Sequence, residues 1–360
     1  MKHLTQTILI VAGGTGGHIF PGLAVAECLK EHDIRTVWLG SKHGLETRIV
    51  PEAGLKLVQI AISGLRGSGP WRWLFAPFTL TIAVLQAISA VLSVRPNVVL
   101  GMGGFASGPG GFAAWICRRP LIIHEQNSIP GLTNLLLSRL ATKVLQGFPG
   151  AFPERRRPIT VGNPVRKSIA ATTLPQEREL ESGAFKILVI GGSRGARALN
   201  EGVPSALAKL SAKNVEVLHQ CGRGNLADTE HRYDDFEGLT NVTEFIDDVG
   251  AAYGSATIVI CRAGALTIAE LAAAGVAAIL VPFPHAVDDH QTANAKFLLD
   301  SNAALMVAEG ENFEQRLADS IHDLYQDRHQ ITLFAQRANM LATLDAASIV
   351  ATHCRELLDG

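Results

Sequence analysis

The chain has 360 residues, enough for two domains of ordinary size, each with its own hydrophobic core. Apolar residues make up 47% of it and charged residues 18%, which is typical of globular α/β proteins with buried parallel strands. The formal net charge of −1 excludes a general electrostatic attraction to nucleic acid. Five scattered cysteines, with no CxxC or other metal spacing, predict free thiols in a reducing cytoplasm.

Short apolar runs alternate with helical patterns along the whole chain. The first run is too brief for the hydrophobic region of a signal peptide. Strand, turn and helix in repeated order predict an α/β fold of doubly wound parallel sheets. The predicted strands are Thr7–Ala12, Thr36–Leu39, Val98–Leu100 and Leu121–Ile123 in the first half, and Lys186–Ile190, Val215–His219, Ile258–Ile260 and Ala277–Val281 in the second.

The segment Trp73–Val94 contains no charged residue and is long enough to span a bilayer. Its polar residues nevertheless recur at helical spacing, and it lies between two predicted strands, where a parallel sheet needs a crossover helix. We therefore predict a packed helix with an unusually apolar start, and keep a membrane span as the alternative.

Glycine-rich turns recur in the same order in the two halves of the sequence. The turn at 13–17 corresponds to that at 191–195, and the turn at 101–104 to that at 261–264. This repetition predicts two Rossmann-like domains that face each other across a binding cleft. We place the N-terminal domain at 1–162, a linker at 163–184 and the C-terminal domain at 185–340. The last helix, at 341–360, is expected to pack back on the N-terminal domain.

Neither glycine loop matches a common nucleotide motif. Ile19 stands where a dinucleotide fingerprint needs its third glycine, and the second strand ends without a carboxylate for a ribose. Neither loop has the lysine of a P-loop. Backbone amides and a helix N-terminus still suit a phosphate or a sugar, although such turns also occur only to let a helix pack on a sheet.

The segment Ala263–Glu270 is more specific. Its helix start presents amides at Ala265 and Leu266, and Glu270 follows about a turn and a half later, where a carboxylate can accept both hydroxyls of a ribose. A solvated helix glutamate is the simpler alternative. Because apolar residues surround Glu270, it needs a polar partner if it is buried.

Six motifs in order resemble the MurG family of bacterial N-acetylglucosaminyltransferases in the GT-B superfamily. The resemblance runs from residue 8 to about residue 300. The motifs are GGTGGH at 13–18, GMGG at 101–104, HEQN at 124–127, GNPVR at 162–166, GGSRGAR at 191–197 and RAGALTIAE at 262–270.

This resemblance implies a GT-B fold and inverting transfer of GlcNAc from UDP-GlcNAc to the C4 hydroxyl of MurNAc in lipid I, forming lipid II for peptidoglycan. It implies that Glu270 binds the ribose, that the backbone of Ile246 lies against the uracil and that Ser193 binds the pyrophosphate. The other implied donor contacts are Thr15, Gly16, Gly17, Asn127, Arg166, Ala265, Leu266, Thr267, Ile268, Ala269 and Gln291.

A general base must accept the proton of the attacking hydroxyl, and His18 has a suitable intrinsic pKa in the loop expected to touch the acceptor. Glu125 is the reserve candidate for the base. Gly14, Gly103 and Gly104 are expected to contact the acceptor. The chain has no Asp-x-Asp pair for a divalent ion, so we predict metal-independent transfer without a cofactor, with a helix dipole stabilising the leaving group.

The resemblance implies that the acceptor, lipid I, carries an undecaprenyl chain, which keeps it in the bilayer. This predicts a peripheral contact of the enzyme with the cytoplasmic face of the bacterial inner membrane. Aromatic residues beside basic ones are typical of such a contact. An apolar helix start buried in the core is the alternative. The predicted contact residues are Arg66, Trp71, Arg72, Trp73, Phe75, Phe78 and Trp115.

Three other functions are compatible with parts of the pattern. Another GT-B UDP-sugar transferase, acting on a lipid such as diacylglycerol, would share the donor residues, but GGTGGH and HEQN disfavour it. A nicotinamide-dependent oxidoreductase is disfavoured by the missing dinucleotide fingerprint. A non-catalytic membrane-docking subunit is disfavoured by intact motifs in both halves.

Overall fold

The computed structural model describes residues 6–62, 70–178, 180–192, 195–210 and 214–358, with the backbone alone at 70–76 and at 287. Six predicted site positions therefore lie wholly or in their side chains outside the described residues; they are Arg66, Trp71, Arg72, Trp73, Phe75 and Ser193. The chain forms two compact units. Unit 1 comprises Met1–Val165 and Leu344–Gly360, and unit 2 comprises Arg166–Thr343.

Unit 1 is built on a parallel sheet that contains seven strands among the described residues. Its strand order is β3-β2-β1-β4-β5-β6-β7, so the order reverses between β1 and β4, where ligands bind in open α/β sheets. The strands are β1 Thr7–Ala12, β2 Arg35–Ser41, β3 Lys56–Ile60, β4 Val98–Gly103, β5 Leu121–Glu125, β6 Lys143–Gln146 and β7 Ile159–Thr160.

Helices cover both faces of the unit 1 sheet. The cluster that includes Ile8 and Ile10 packs under α1 and α14, and the cluster that includes Leu9 and Val11 packs under α3 and α4. Alternate side chains of the buried strand β1 therefore lie on opposite faces of the sheet and belong to two separate hydrophobic cores. The helices are α1 Gly16–Lys30, α2 Glu46–Glu52, α3 Pro70–Val94, α4 Ser107–Ile116, α5 Leu132–Leu137 and α14 Ala346–Glu356.

Close contact between α1 and the sheet depends on Gly22. A Cβ atom on Gly22 would lie 2.6 Å from Cη2 of Trp38, which is fully buried in β2. The indole Nε1–H of Trp38 donates to the carbonyl of Ala12 at 2.9 Å, so this large ring is both packed and satisfied beside the end of β1.

The helix α3 is the crossover between β3 and β4. By length and composition, its segment Pro77–Val94 is able to cross a membrane. Ala83, Ala87 and Val91 nevertheless recur at helical spacing on one buried face and pack on the sheet. Phe78 at the helix start is 71% exposed, so α3 combines a packed face with an uncovered apolar one.

Unit 2 repeats this architecture. Its parallel sheet has the order β10-β9-β8-β11-β12-β13 among the described residues, and the order reverses between β8 and β11. The strands are β8 Phe185–Ile190, β9 Val215–Gln220, β10 Leu239–Thr243, β11 Ile258–Cys261, β12 Ala277–Leu280 and β13 Ala304–Met306. The helices are α6 Lys167–Ala170, α7 Arg197–Leu207, α8 Leu226–His231, α9 Val249–Ser255, α10 Ala265–Ala274, α11 His290–Leu299, α12 Phe313–Gln326 and α13 Arg328–Met340.

The predicted α/β class is confirmed, because both units are Rossmann-like parallel sheets. The chain passes from unit 1 to unit 2 at Val165–Arg166. The helix α6, in the stretch predicted as a linker, packs on α9 and α10 of unit 2. In unit 1, α14 packs on α1.

Candidate active site

The first glycine loop of unit 1 joins β1 to α1. Thr15 is the N-cap of α1, and Gly16 and Gly17 begin its first turn, where a helix supplies no acceptors for its own amides. The amide of Gly14 is already bonded, because it donates to Oε2 of Glu46 at 3.0 Å. The predicted acceptor contact through Gly14 therefore cannot use this amide while Glu46 holds it.

Glu46 is a buried carboxylate that the sequence analysis did not identify. It is fully buried, and its Oε1 accepts from the amide of Ser41 at 2.8 Å and from the Ser41 hydroxyl at 2.6 Å. A Cβ atom on Gly13 would lie 2.6 Å from the same oxygen. Glu46 thus ties the end of β2 to the glycine loop and fixes the loop's shape.

The glycines at the end of β4 are required by packing. A Cβ atom on Gly103 would lie 2.6 Å from Nδ1 of His18, and one on Gly104 would lie 1.9 Å from the carbonyl oxygen of Gly13. Both glycines have a positive φ angle, which residues with a side chain rarely adopt. The register of β1 against β4 also shifts between Val11 and Ala12. The two loops therefore approach closely enough for His18 to lie over Gly103.

His18, in the first turn of α1, is half-buried and bonded to the end of β5. Its Nδ1 lies 3.0 Å from Oε1 of Gln126. The amide nitrogen of Gln126 donates to the carbonyl of Met102 at 2.9 Å and lies 3.1 Å from Nδ1 of His124. The other ring nitrogen of His124 lies 2.9 Å from the carbonyl of Gly162. Complete burial lowers the pKa of His124 to about 4, so this histidine is neutral near pH 7.

Glu125, the reserve candidate for the base, is buried and bonded to the segment that follows it. Its Oε1 accepts from the backbone and side-chain amides of Asn127 at 3.0 and 3.1 Å. Its Oε2 accepts from the amide of Gly131 at 3.1 Å and from the side chain of Asn134 at 2.9 Å. Four donors therefore hold this carboxylate against the loop that follows β5 and against α5.

The glycine loop of unit 2 is organised by a glutamine. Gln220, at the end of β9, accepts from the amide of Gly192 at 3.0 Å and donates to the carbonyl of the same residue at 3.0 Å. Gly195 has a φ of +71°, and a Cβ atom there would lie 2.3 Å from the carbonyl oxygen of Cys221. Close contacts at Gly192 and at Gly195 thus constrain the turn that leads into α7. These two residues flank Ser193, the predicted pyrophosphate contact, in the sequence.

Glu270 is buried in unit 2. It has polar partners, as a buried glutamate requires. Arg166 lies 3.2 Å from its Oε1, and the Tyr253 hydroxyl donates to its Oε2 at 3.2 Å. Burial raises the pKa of Glu270, although Arg166 and Tyr253 oppose the rise. Two predicted donor contacts, Arg166 and Glu270, are therefore direct neighbours.

The other predicted donor residues of unit 2 lie at the start of α10 and in nearby loops. Ala265 begins α10, so the amides of Ala265, Leu266 and Thr267 belong to its first turn. The amide of Ile268 bonds to the carbonyl of Gly264 and its side chain is fully buried, which leaves it no polar group for a ligand. Ala269 is half-buried further along the same helix.

The remaining predicted donor residues lie outside α10. Ile246 is half-buried in the loop between β10 and α9. Gln291, in α11, accepts from the amide of Phe283 at 2.9 Å through Oε1, so its amide nitrogen is the end left to meet a ligand.

Arg262 joins three loops at the same end of the unit 2 sheet. It donates to the carbonyl of Val281 at 3.1 Å, forms an ion pair with Glu309 and lies over the ring of Phe283 at 5.4 Å. The sequence motif contained this arginine, but its partners lie 19 and 47 residues away in the sequence. Nothing in the sequence identified those pairings.

Within the ranges that the structure describes, no group of three or more His, Cys, Asp or Glu side chains is placed to hold a metal ion. The metal independence of the reaction stays a prediction. Three residues that shape the site were not predicted: Gln126, Glu46 and Gln220. Gln126 lies inside the HEQN motif, so the sequence could have identified it. Glu46 and Gln220 carried no comparable signal, since their partners come from other strands and loops.

Two Rossmann-like units in one chain, each with a glycine loop at the topological switch point of its sheet, define the GT-B architecture. Residues 8–146 match the glycosyltransferase family 28 N-terminal domain, and residues 186–353 match the family 28 C-terminal domain.

Relatives of known name agree with these matches. Two are called UDP-N-acetylglucosamine--N-acetylmuramyl-(pentapeptide) pyrophosphoryl-undecaprenol N-acetylglucosamine transferase. The protein of Nitrosococcus oceani is 50% identical, over 98% of this chain and 99% of its own length, and that of Aeromonas hydrophila is 49% identical, over 99% and 98%. The crystal structure of Acinetobacter baumannii MurG is 36% identical with a TM-score of 0.80, covering 98% of this chain and 99% of that one. The chain belongs to glycosyltransferase family 28 and, within it, to the MurG family.

Proposed function

We propose that this protein transfers GlcNAc from UDP-GlcNAc to the C4 hydroxyl of MurNAc in lipid I, forming lipid II for peptidoglycan synthesis. The reaction is supported by identity near 50%, over the full length, to proteins named as N-acetylglucosamine transferases acting on N-acetylmuramyl-(pentapeptide) pyrophosphoryl-undecaprenol. The observation that carries the proposal in the structure is His18, a half-buried imidazole beside the glycine amides that open α1. This arrangement supports a general base next to an anion-binding helix start in unit 1.

Unit 2 is proposed to bind the donor. The buried carboxylate of Glu270 suits two ribose hydroxyls, and Arg166 beside it adds a positive charge near the nucleotide. The first-turn amides of α10, at Ala265, Leu266 and Thr267, suit the GlcNAc and its phosphates. The uracil is proposed to lie against the backbone of Ile246, and the amide nitrogen of Gln291 to donate to the sugar.

Unit 1 is proposed to bind the acceptor and to supply the base. Thr15, Gly16 and Gly17 are proposed to bind phosphate oxygens through the start of α1. The C4 oxygen attacks the anomeric carbon and its proton moves to His18, while the bond from that carbon to the UDP oxygen breaks and UDP leaves with the electron pair. Glu125 is less suited to the base role, because four hydrogen bonds already occupy its oxygens.

The decisive assay measures transfer of labelled GlcNAc from UDP-GlcNAc to a short-chain lipid I analogue in excess EDTA. Labelled disaccharide is expected, and His18→Ala is expected to lose turnover by about a hundredfold or more while keeping its affinity for UDP-GlcNAc. His43→Ala is the matched control, since His43 is an exposed histidine of the same unit. Undiminished turnover in His18→Ala would contradict the assignment of the base. Donor binding without product would point to another acceptor.

We further propose that unit 1 contacts the cytoplasmic face of the inner membrane through the exposed sides of α3, α4 and α5. Phe78 is 71% exposed, Trp115 is 50% exposed and stacks on Phe112 at 5.6 Å, and Leu132 is 65% exposed. Exposed Arg118 follows α4, where a positive charge favours anionic lipids. The three helices pack on one another in succession, and their exposed apolar side chains suit the bilayer interface.

Sedimentation with vesicles of phosphatidylglycerol and phosphatidylcholine tests this contact. Replacing both Phe78 and Trp115 by serine is expected to weaken binding about tenfold or more, because two aromatic side chains no longer leave water. Met340→Ser is the control, since Met340 is 76% exposed on α13 of unit 2. Equal binding by the double variant and the wild type would place the contact elsewhere on the protein.

A further inference from the structure

We infer that Gln126 is a positioning residue whose side-chain amide selects the tautomer of His18 with an unprotonated Nε2. The inference rests on the proposed transfer reaction, in which His18 accepts the proton of the attacking hydroxyl. Gln126 itself touches neither substrate in this scheme and acts through the imidazole. It is 1% exposed and joins the end of β5 to α1 and β4.

The orientation of the Gln126 amide follows from its partner in β4. One end of the amide lies 2.9 Å from the carbonyl oxygen of Met102, which can only accept, so this end is the NH₂ group. The other end is therefore Oε1, and it lies 3.0 Å from Nδ1 of His18. Because Oε1 can only accept, Nδ1 must carry the hydrogen. A neutral imidazole has one N–H, so the lone pair is on Nε2.

A second histidine holds the amide in this orientation. Nε2 of His124 lies 2.9 Å from the carbonyl of Gly162 and must donate, which leaves the lone pair on Nδ1. That lone pair lies 3.1 Å from Nε2 of Gln126 and accepts its second hydrogen. Rotating the amide by half a turn would set its oxygen against two acceptors. The chain from Gly162 to His18 is thus satisfied in one arrangement only.

The partner of His18 in this chain is a neutral amide. A carboxylate in the same place would also select the tautomer, but its charge would raise the pKa of the imidazole. Among the described residues, His124 and Glu125 of β5 and Glu46 of α2 are ionisable groups near the loops that hold His18. Glu125 is already bonded to donors that follow β5, and Glu46 to the amides of Ser41 and Gly14. The amide thus orients the base without adding a charge to it.

Nitrogen-15 NMR of protein labelled in its 12 histidines tests the inference, with His18 assigned from His18→Gln. In the wild type we expect His18 to be protonated at Nδ1 and unprotonated at Nε2. In Gln126→Met, which keeps the length of the side chain but not the acceptor, the Nδ1–H preference should be lost. Its kcat should fall about 10- to 100-fold at an unchanged KM for UDP-GlcNAc.

Two further variants separate positioning from stability. Gln146→Met alters an equally buried glutamine of the same sheet, which bonds to Phe152 and Thr160, and should leave both the tautomer and kcat unchanged. Gln126→Glu restores the acceptor that faces His18 but sets an oxygen against the carbonyl of Met102 and Nδ1 of His124, so it should keep the Nδ1–H tautomer of His18 while lowering the stability of the protein.

A wild-type His18 protonated at Nε2, or a Gln126→Met variant with the wild-type tautomer and kcat, would overturn the inference. Absence of transfer by the wild type would instead refute the proposed function, and the NMR result would still decide the tautomer.

Discussion

Glu125 and Glu270 are both buried carboxylates next to predicted site residues, but their partners differ. The four donors to Glu125 are uncharged amides of the loop after β5 and of α5, so its role is to shape that segment. Glu270 is paired with the guanidinium of Arg166 and the hydroxyl of Tyr253. Nucleotide hydroxyls can replace such partners or share the carboxylate with them, which makes Glu270 the better candidate for a ligand contact.

Replacing Glu270 by glutamine is expected to weaken UDP-GlcNAc binding about 10- to 100-fold, because a carboxylate accepting from two ribose hydroxyls forms charge-assisted hydrogen bonds. Titration calorimetry measures the dissociation constant. Glu216→Gln, a half-exposed glutamate on β9, is the control. Since burial raises the pKa of Glu270, affinity should fall on acidification at a higher pH than for an ordinary glutamate. An unchanged dissociation constant would mean that Glu270 only holds Arg166.

At the scale of single elements, the strongest constraint is the approach of α1 to β2. Gly22 admits the ring of Trp38, and the Trp38 indole in turn bonds to the end of β1. The position of α1 determines where Thr15, Gly16 and His18 lie. A residue with no functional group therefore controls the placement of the predicted base.

Gly22→Ala is expected to lower the free energy of unfolding by about 1–3 kcal/mol, because the new methyl group overlaps a ring that cannot move away. This opposes the gain of about 1 kcal/mol that alanine normally brings inside a helix. Urea denaturation checks it, with Gly108→Ala in α4 as the control, where the nearest atom would be at an ordinary 3.4 Å. Equal stability of the Gly22→Ala variant and the wild type would show that α1 shifts freely.

Eight strands were predicted from apolar runs in the sequence. All eight appear in the structure within a few residues of their predicted bounds. Those that the sequence did not reveal are short or lie near a sheet edge. Lys56–Ile60 contains two polar residues, and Leu239–Thr243 has three exposed ones, so neither shows the pattern of a buried strand. Contacts such as Glu46 with Gly14 and His18 with Gln126 join residues 32 and 108 positions apart. Such pairings depend on the fold and have no local sequence pattern.

At the scale of the whole molecule, the described part of each unit contains one buried histidine whose pKa burial lowers. Burial lowers the pKa of His124 in unit 1 and of His219 in unit 2 to about 4, whereas an unfolded histidine titrates near 6.5. His219 is enclosed by Tyr233 and Asn200, with contacts of 2.8 and 3.2 Å. Below pH 6.5 the unfolded chain takes up protons that the folded units do not.

We therefore expect both units to lose stability as the pH falls from 6.5 towards 4. The loss at pH 5 is about 2 kcal/mol for each histidine, from the linkage between proton binding and unfolding. Urea denaturation at pH 7 and pH 5 measures it. His219→Gln should flatten the pH dependence, and His43→Gln, an exposed control, should not. A pH dependence that is identical in His219→Gln and the wild type would contradict this origin.

The return of α14 to unit 1 has a consequence for biosynthesis. Val350, Ala351 and Cys354 are buried in the same core as Ile8 and Ile10, yet the ribosome makes them only after all of Arg166–Thr343. At about 5–20 residues per second, that interval lasts roughly 10 to 35 s. During it, the face of the sheet under α1 lacks its last helix and presents apolar surface to the cell. Unit 1, whose strands are made first, is thus completed only after unit 2, and the nascent chain needs protection at that face until α14 has been made.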